Sequence, residues 1–285
     1  MKKMLSLYGL KWNPFSPDVP VEALLPTPKI ESFSWRVEQL VREGGFSCIV
    51  GDPGTGKSVA LRLLAHRLGA LRDVTIGVLT RPQSGTGDFY RELGDLFGVT
   101  LSPHNRWAGS KMLREKWLAH IDASLFRPVL IIDEAQEMKP VVLSELRLIS
   151  SMDLDARSVL TVVLCGDGRL PEKFRTPELL PIASRIRVRL PMEYATRDEL
   201  LACLKHVTEK AGNARLMTPE LMATLVDHAA GNYRVLMTMA GEMLDAAVQR
   251  EAKHLDEKLY FDVFATPAER ATAPKAKVAA SAKRR

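Results

Sequence analysis

The stretch G-D-P-G-T-G-K-S at residues 51–58 constrains the fold of this 285-residue chain more than any other. It matches the pattern G-x-x-x-x-G-K-[ST], with Gly51, Gly56, Lys57 and Ser58 at the specified positions. Glycines let consecutive backbone N–H groups turn inward around a polyphosphate, and the dipole of a following helix points its positive end at the same anion. We therefore predict a phosphate-binding loop at residues 51–58, called the phosphate loop below.

The chemistry of this pattern assigns a role to each polar side chain. We expect Lys57 to reach the β- and γ-phosphates, where it also assists catalysis, and the hydroxyl of Ser58 to ligate Mg²⁺. ATP and Mg²⁺ are therefore the predicted cofactors. The nucleotide contacts are predicted in the loop and the helical turn after it, at Gly51, Asp52, Pro53, Gly54, Thr55, Gly56, Lys57, Ser58 and Val59.

The flanking sequence favours this interpretation over a chance glycine-rich loop. Residues 46–50 (F-S-C-I-V) are mostly apolar and predict a short buried strand. After the loop, apolar residues recur at nearly helical spacing up to Leu68, and Gly69 follows as a stop signal. A strand, a glycine-rich loop and a helix in this order are the context that the motif requires.

Two acidic residues end a second apolar run. Residues 129–132 (V-L-I-I) lead directly into Asp133 and Glu134. In open α/β sheets, ligands bind at the carboxyl ends of parallel strands. We predict that Asp133 holds Mg²⁺, directly or through water, and that Glu134 polarises the water attacking the γ-phosphate. Nucleotide binding without hydrolysis is the alternative, and the presence of Glu134 argues against it.

Strand and helix patterns alternate along most of the chain, which predicts an α/β fold with a parallel five-stranded sheet and helices on both faces. After Pro191 the patterns are all helical, which predicts a small helical lid. The predicted strands are 46–50, 74–80, 128–136, 158–167 and 186–190. The predicted divisions are an extended N-terminal segment (1–30), the α/β core (31–191), the lid (192–264) and a disordered basic tail (265–285).

The net charge of +6 lies mostly in the tail, where six basic residues accompany Glu269 alone. The tail could bind DNA electrostatically or serve as a solubilising end. The cysteines, Cys48, Cys165 and Cys203, lie far apart, as expected of reduced thiols in a cytoplasmic protein, with a reactive or metal-bound thiol as the alternative. No apolar run is long enough to span a membrane.

Two arginines stand out by their positions. Arg185 precedes the last predicted strand, and Arg234 lies in the first turn of an amphipathic helix. The forked donors of arginine can stabilise charge on a phosphoryl group in transfer. A single arginine is otherwise an ordinary surface charge.

Several stretches together resemble the AAA+ ATPases, and within them the ExeA-like group that includes the TniB, TnsC and MuB transposition ATPases. The resemblance extends from Y-G-L-K-W-N-P-F at residue 8 to about residue 250. It rests on the phosphate loop, L-I-I-D-E-A-Q-E-M (130–138), V-L-C-G-D-G-R-L (163–170), S-R-I (184–186) and G-N-Y-R (231–234).

The resemblance implies a P-loop NTPase fold of the AAA+ type and a catalytic role for three further residues. Arg234 resembles the sensor-2 arginine, acting on the nucleotide of its own subunit. Arg185 resembles the arginine finger, offered to the nucleotide of a neighbouring subunit. Asp167 takes the sensor-1 position, where the family usually has a small polar residue. A shared nucleotide implies self-assembly into a ring or helical filament.

By the same resemblance, the expected function is an ATPase that assembles on duplex DNA without sequence preference and recruits or activates a transposase. One alternative is a relative of the secretion ATPase acting in envelope assembly. Another is a nucleotide-dependent switch that binds a partner protein. DNA contacts would come from Arg81, Lys111, Arg114 and Lys116, unless these residues are merely a solvated helix face.

Overall fold

The computed structural model of the protein describes residues 2–101, 106–153 and 156–264. Its main sheet has five parallel strands in the spatial order β2-β3-β6-β1-β7. The strands of this sheet are β1 (Gly45–Gly51), β2 (Ile76–Leu79), β3 (Val129–Ile132), β6 (Thr161–Gly166) and β7 (Ile186–Met192). A separate antiparallel pair, β4 (Ser151–Met152) and β5 (Arg157–Ser158), forms a small hairpin.

The central strands are apolar because both faces of the sheet are covered. All of β3 and all of β6 are buried. The helices are α1 (Lys2–Tyr8), α2 (Pro28–Glu43), α3 (Lys57–Gly69), α4 (Thr86–Phe97), α5 (Arg106–Ser124), α6 (Pro140–Ser150), α7 (Arg169–Lys173), α8 (Leu180–Ala183), α9 (Arg197–Lys210), α10 (Pro219–Ala229), α11 (Tyr233–Arg250) and α12 (Glu257–Phe264).

Each face of the sheet has its own apolar core. Helices α2 and α3 pack on one face, where Val37 and Leu64 meet Ile131 and Val163. On the other face, α4, α5 and α6 enclose the largest cluster, which includes Phe89 and Trp117. This arrangement confirms the predicted α/β fold with a five-stranded parallel sheet and helices on both faces.

The residues after β7 are helical and pack into a separate apolar cluster. Capping side chains define where the helices begin. Thr196 forms a reciprocal capping box with Glu199 at α9, and Asn232 accepts hydrogen bonds from two backbone N–H groups at α11. We propose on this basis that residues 192–264 are the lid predicted from the sequence, beginning where β7 ends at Met192.

The N-terminal segment was wrongly predicted to be extended throughout residues 1–30. Lys2–Tyr8 is helical, and Met4, Tyr8 and Phe15 are buried against the helices of the lid. The prolines and the low periodicity of residues 1–30 as a whole obscured this short helix of about two turns. The predicted disordered tail, residues 265–285, lies outside the described residues.

The register of the parallel strands separates two ends of the sheet. At β1 and β7, Phe46 pairs with Ile186 at the amino end, and Gly51 pairs with Met192 at the carboxyl end. The phosphate loop therefore leaves the carboxyl end of the sheet, whereas Arg185 lies at the amino end. A strand of this length spans roughly 20 Å.

Candidate nucleotide-binding site

The phosphate loop has the backbone geometry that its sequence predicts. Gly54 and Gly56 have positive φ angles of 86° and 97°, which are unfavourable for residues with a side chain. Lys57 begins helix α3 and is buried, and its Nζ donates hydrogen bonds to the carbonyl oxygens of Gly51 (2.7 Å) and Asp52 (3.1 Å). The lysine cation thus lies across the mouth of its own loop, where a phosphate group can replace the carbonyl oxygens.

Gly54 is also the point where the lid contacts the loop, which was not foreseen from the sequence. Its carbonyl oxygen accepts a hydrogen bond from the N–H of Tyr233 (2.9 Å), and the Nδ2 of Asn232 donates to the carbonyl oxygen of Pro53 (3.2 Å). A Cβ atom at Gly54 would lie 2.0 Å from the Oδ1 of Asn232. The absence of a side chain here therefore lets the lid dock directly on the phosphate loop.

The acidic pair lies at the carboxyl end of β3, on the same side of the sheet as the phosphate loop, with β6 between β3 and β1. Asp133 is half-buried, and its carboxylate accepts a hydrogen bond from the N–H of Glu134 (2.9 Å). Burial is the main cause that raises the pKa of the Cys165 thiol, and the charge of Asp133 adds to it while that of Lys57 opposes it. Lys57 and Asp133 are thus within electrostatic reach of the same buried thiol.

Glu134 is exposed and adopts a left-handed backbone conformation, with a φ angle of 51°. Its carboxylate accepts a hydrogen bond from the Nε2 of Gln136, a buried side chain. The Oε1 of Gln136 accepts a hydrogen bond from the N–H of Asp167 (3.2 Å). One buried amide therefore connects the predicted general base on β3 with the turn that follows β6. No role of its own was predicted for Gln136 from the sequence, because the residue appears there only within D-E-A-Q, a stretch that resembles the family.

The carboxylate of Asp167 is engaged by a neighbour in sequence. It accepts hydrogen bonds from the Nε (2.9 Å) and the Nη2 (2.8 Å) of Arg169, whose Nη2 also contacts Glu137 (2.8 Å). Hydrogen bonding from Arg169 is the main cause that holds the pKa of Asp167 below its usual value, and the Lys57 charge contributes. Asp167 thus lies near the site, and its carboxylate is directed to Arg169.

The residues present fit a nucleotide with Mg²⁺. The hydroxyl of Ser58 is on an exposed residue in the first turn of α3, and Asp133 supplies a carboxylate at the same end of the sheet, after β3. Hydroxyl and carboxylate oxygens are suitable ligands for this small, hard cation. Loop N–H groups, the start of α3 and Lys57 provide the donors that a polyphosphate requires.

The two predicted arginines lie at opposite ends of the sheet. Arg234 is exposed in the first turn of α11, beside the Asn232 contact with the phosphate loop. Arg185 is half-buried beyond the amino end of β7, and its Nη1 donates to the carbonyl oxygen of Pro181. The structure therefore brings Arg234, and not Arg185, to the phosphate loop of its own chain.

Among the candidate DNA contacts, Arg114 forms hydrogen bonds within its own chain. Its guanidinium donates to the carbonyl oxygens of Leu148 and Ile149 at the end of α6. Lys111 lies 3.8 Å from Glu115 and 5.8 Å from the ring centroid of the exposed Trp107. Within the part of the chain that the structure describes, no helix is long and apolar enough to cross a bilayer.

Comparison with known proteins agrees with this architecture. Residues 41–174 match the family described as the AAA domain. General secretion pathway protein A of Aeromonas hydrophila is 29% identical over 255 residues, which cover 85% of this chain and 44% of that protein. The chain thus spans less than half the length of this curated relative.

Solved structures with a similar fold are more distant in sequence. Cdc6p of Pyrobaculum aerophilum superposes with a TM-score of 0.68 at 15% identity, covering 85% of this chain and 67% of that one. The Aeropyrum pernix ORC1 protein, solved in complex with DNA, has a TM-score of 0.65 at 17% identity, covering 88% and 67%.

The Thermotoga maritima RuvB Holliday junction branch migration motor has a TM-score of 0.56 at 15% identity, covering 88% of this chain and 72% of that one. At these identities the structural matches establish the fold alone. The match of residues 41–174 to the AAA domain and the shared architecture give this chain the fold of the AAA+ P-loop NTPases.

Proposed function

We propose that this protein binds ATP in the phosphate loop and hydrolyses it. The observation that carries this proposal is the convergence of Lys57, Asp133 and Glu134 at the carboxyl end of the sheet. In this proposal Lys57 leaves the carbonyl oxygens of Gly51 and Asp52 to bind the β- and γ-phosphates. Ser58 and Asp133 hold Mg²⁺, which neutralises charge on the phosphate oxygens when bound.

In this proposal Glu134 orients and deprotonates the attacking water. Its exposed carboxylate is held at the strand end by the Nε2 of Gln136. Arg234 binds the phosphates from the lid, and Asp167 occupies the sensor-1 position with its charge balanced by Arg169. A test is Lys57→Ala, which removes the cation aimed at the phosphates. Undiminished ATP affinity in a calorimetric titration would overturn the site assignment.

We further propose that the nucleotide is shared between copies of the chain. Arg185 is separated from its own phosphate loop by the length of β7, roughly 20 Å. An arginine at that distance can act on a nucleotide only if another subunit presents it. One subunit would present the amino end of its sheet, with Arg185, to the carboxyl end of its neighbour, with the phosphate loop. Such a contact is head-to-tail, and head-to-tail contacts generate rings or helical filaments.

For the partner, the first candidate is duplex DNA, bound without sequence preference, with a transposase recruited to the assembly. The resemblance to transposition ATPases, the six basic residues of the tail and the fold shared with the DNA-complexed ORC1 protein support it. The second candidate is secretion or envelope assembly, supported by the 29% identity to general secretion pathway protein A.

DNA binding in defined nucleotide states distinguishes the two candidates. With ATP or a slowly hydrolysed analogue, the DNA candidate predicts similar affinity for unrelated duplexes, and much weaker binding with ADP. Phosphate contacts predict that log K falls linearly with log salt, by about 0.9 per phosphate neutralised. Deleting residues 265–285 flattens this slope if the tail contacts DNA. An ATP-bound assembly without duplex binding at low salt would favour the secretion candidate.

A further inference from the structure

An open cavity of about 480 Å³ lies at the amino end of the sheet, away from the phosphate loop. Four separate segments form its walls: the end of α2, the residues before β3, the β4–β5 hairpin and the start of β7. Its described lining includes one carboxylate and five guanidinium groups, those of Glu43 and of Arg42, Arg127, Arg157, Arg185 and Arg187.

Contacts with the surrounding fold hold several of these arginines in place. The Nε of Arg127 donates to the carbonyl oxygen of Ser158 (3.3 Å), and the guanidinium of Arg42 lies 5.4 Å from the ring centroid of Phe126. The carboxylate of Glu43 accepts a hydrogen bond from Arg187 (2.8 Å). The one described carboxylate of the lining is therefore already paired.

Two arginines of the described lining, Arg127 and Arg157, oppose each other electrostatically. Arg157 is half-buried, and its guanidinium has no ion pair with any residue in the described ranges. Burial, followed by repulsion from Arg157, lowers the pKa of Arg127, and the charge of Glu43 partly offsets this shift. Two cations that oppose each other in a partly desolvated cavity gain stability when an anion enters between them.

We propose that this cavity binds a phosphate group through Arg127 and Arg157. Guanidinium forks match the oxygen spacing of phosphate and bind it through paired hydrogen bonds. The serine hydroxyls of the lining already donate to backbone carbonyl oxygens, so the arginines supply the donors for the anion; the serines are Ser150, Ser151, Ser158 and Ser184.

The phosphate has two possible sources with the same chemistry. It can belong to a free phosphate compound, or to the nucleotide of a neighbouring copy presented next to Arg185. The second source rests on the proposed head-to-tail assembly. It would make Arg157 and Arg127 additional contacts across the subunit interface, beside the proposed arginine finger.

The first arm of the test uses inorganic pyrophosphate and unassembled subunits. Lys57→Ala removes the phosphate-loop cation, so calorimetric binding of pyrophosphate to this variant reports on other sites. We expect saturable binding that Arg157→Gln weakens by about tenfold or more. Arg72→Gln, which removes an exposed arginine outside the cavity, is the charge-matched control and should leave the affinity unchanged. Thermal unfolding checks that each variant is folded.

The second arm measures ATP-dependent assembly by sedimentation velocity, with Lys57 intact. If the neighbouring nucleotide is the source, Arg157→Gln weakens assembly and Arg72→Gln does not, even when free pyrophosphate fails to bind. If wild-type protein does not assemble with ATP, the proposed sharing of the nucleotide is wrong. Pyrophosphate binding alone then decides whether the cavity binds phosphate. Pyrophosphate binding that is absent or insensitive to Arg157→Gln, without a specific assembly defect, overturns the proposal.

Discussion

At the carboxyl end of the sheet, the polar groups are mainly backbone N–H groups of the phosphate loop and the carboxylates of Asp133 and Glu134. At the amino end, the polar groups are guanidiniums from separated segments, including Arg127, Arg157 and Arg185. The first end can surround an anion with main-chain donors and supply carboxylates for a cation. The second end offers concentrated positive charge with no comparable loop.

In the proposed assembly, the two ends of one sheet supply complementary halves of a phosphate site. A parallel sheet places every strand end of one kind on the same side, so the two chemistries remain about one strand length apart. They can meet only when two copies stack head-to-tail.

The largest expected effect concerns the amino end. Arg185→Ala should lower ATP hydrolysis by about 10³–10⁵-fold, because a trans arginine stabilises charge on the γ-phosphoryl group. Isolated variant subunits should still bind ATP, since Arg185 is remote from their own phosphate loop. Arg189→Ala is the control, because Arg189 is an exposed arginine of the same strand. Equal rates of hydrolysis in the Arg185 and Arg189 variants would show that Arg185 does not take part in catalysis.

At the carboxyl end, Glu134→Gln should lower hydrolysis by about 10²–10⁴-fold, the range for loss of a general base. The substitution keeps the shape of the side chain and the Mg²⁺ ligands, so nucleotide affinity should be retained and the ATP-bound assembly should persist. Phosphate release and sedimentation measure the two properties. Hydrolysis at the wild-type rate would show that Glu134 is not the general base.

The contact between lid and phosphate loop predicts a smaller effect, on stability. Gly54→Ala should destabilise the protein by about 2–3 kcal/mol, through the positive φ angle and the collision with Asn232. Gly98→Ala is a matched control, because Gly98 has a φ angle of 67° and no atom within 4 Å of an added Cβ. It should cost only about 1–2 kcal/mol.

Thermal unfolding measures the stability of both glycine variants. Hydrogen exchange at the N–H of Tyr233 reports whether the lid has detached from the phosphate loop. Faster exchange is expected in the Gly54 variant alone. Equal unfolding temperatures and equal exchange in the two variants would show that the lid contact at Gly54 contributes nothing to stability.

The smallest expected effect concerns the amide that connects Glu134 with the turn at Asp167. Gln136→Ala should lower the hydrolysis rate by about tenfold, because the general base loses the donor that orients its carboxylate. ATP affinity should remain unchanged, since Gln136 makes no contact with the phosphate loop in the described structure. A loss of affinity without a loss of rate would assign Gln136 to nucleotide binding instead.

The carboxyl end was predictable because its determinants are contiguous. Glycines, Lys57 and Ser58 occupy a stretch of eight residues, and Asp133 and Glu134 directly follow an apolar strand. Local spacing thus carries both the fold class and the position of the site. The order of the strands in the sheet was not predicted from the sequence.

The remaining features depend on contacts between distant segments. Asn232 meets Pro53 across 179 positions of the chain, and Arg127 meets Ser158 only through the packing of the hairpin. No local pattern marks Gln136 as a bridge between two strand ends, or Arg157 as part of a basic cavity. The helix at Lys2–Tyr8 was missed for the same reason, since its apolar face is matched by lid residues near the other end of the chain.

Complementation between two inactive variants tests the central claim, that subunits share one nucleotide between opposite ends of their sheets. Lys57→Ala subunits keep Arg185 and lose their own nucleotide site, whereas Arg185→Ala subunits keep the nucleotide site and lose the trans arginine. We predict that mixing them restores part of the ATPase activity, with a maximum at intermediate ratios. Absence of any restoration, in subunits shown to co-assemble, would contradict the shared site.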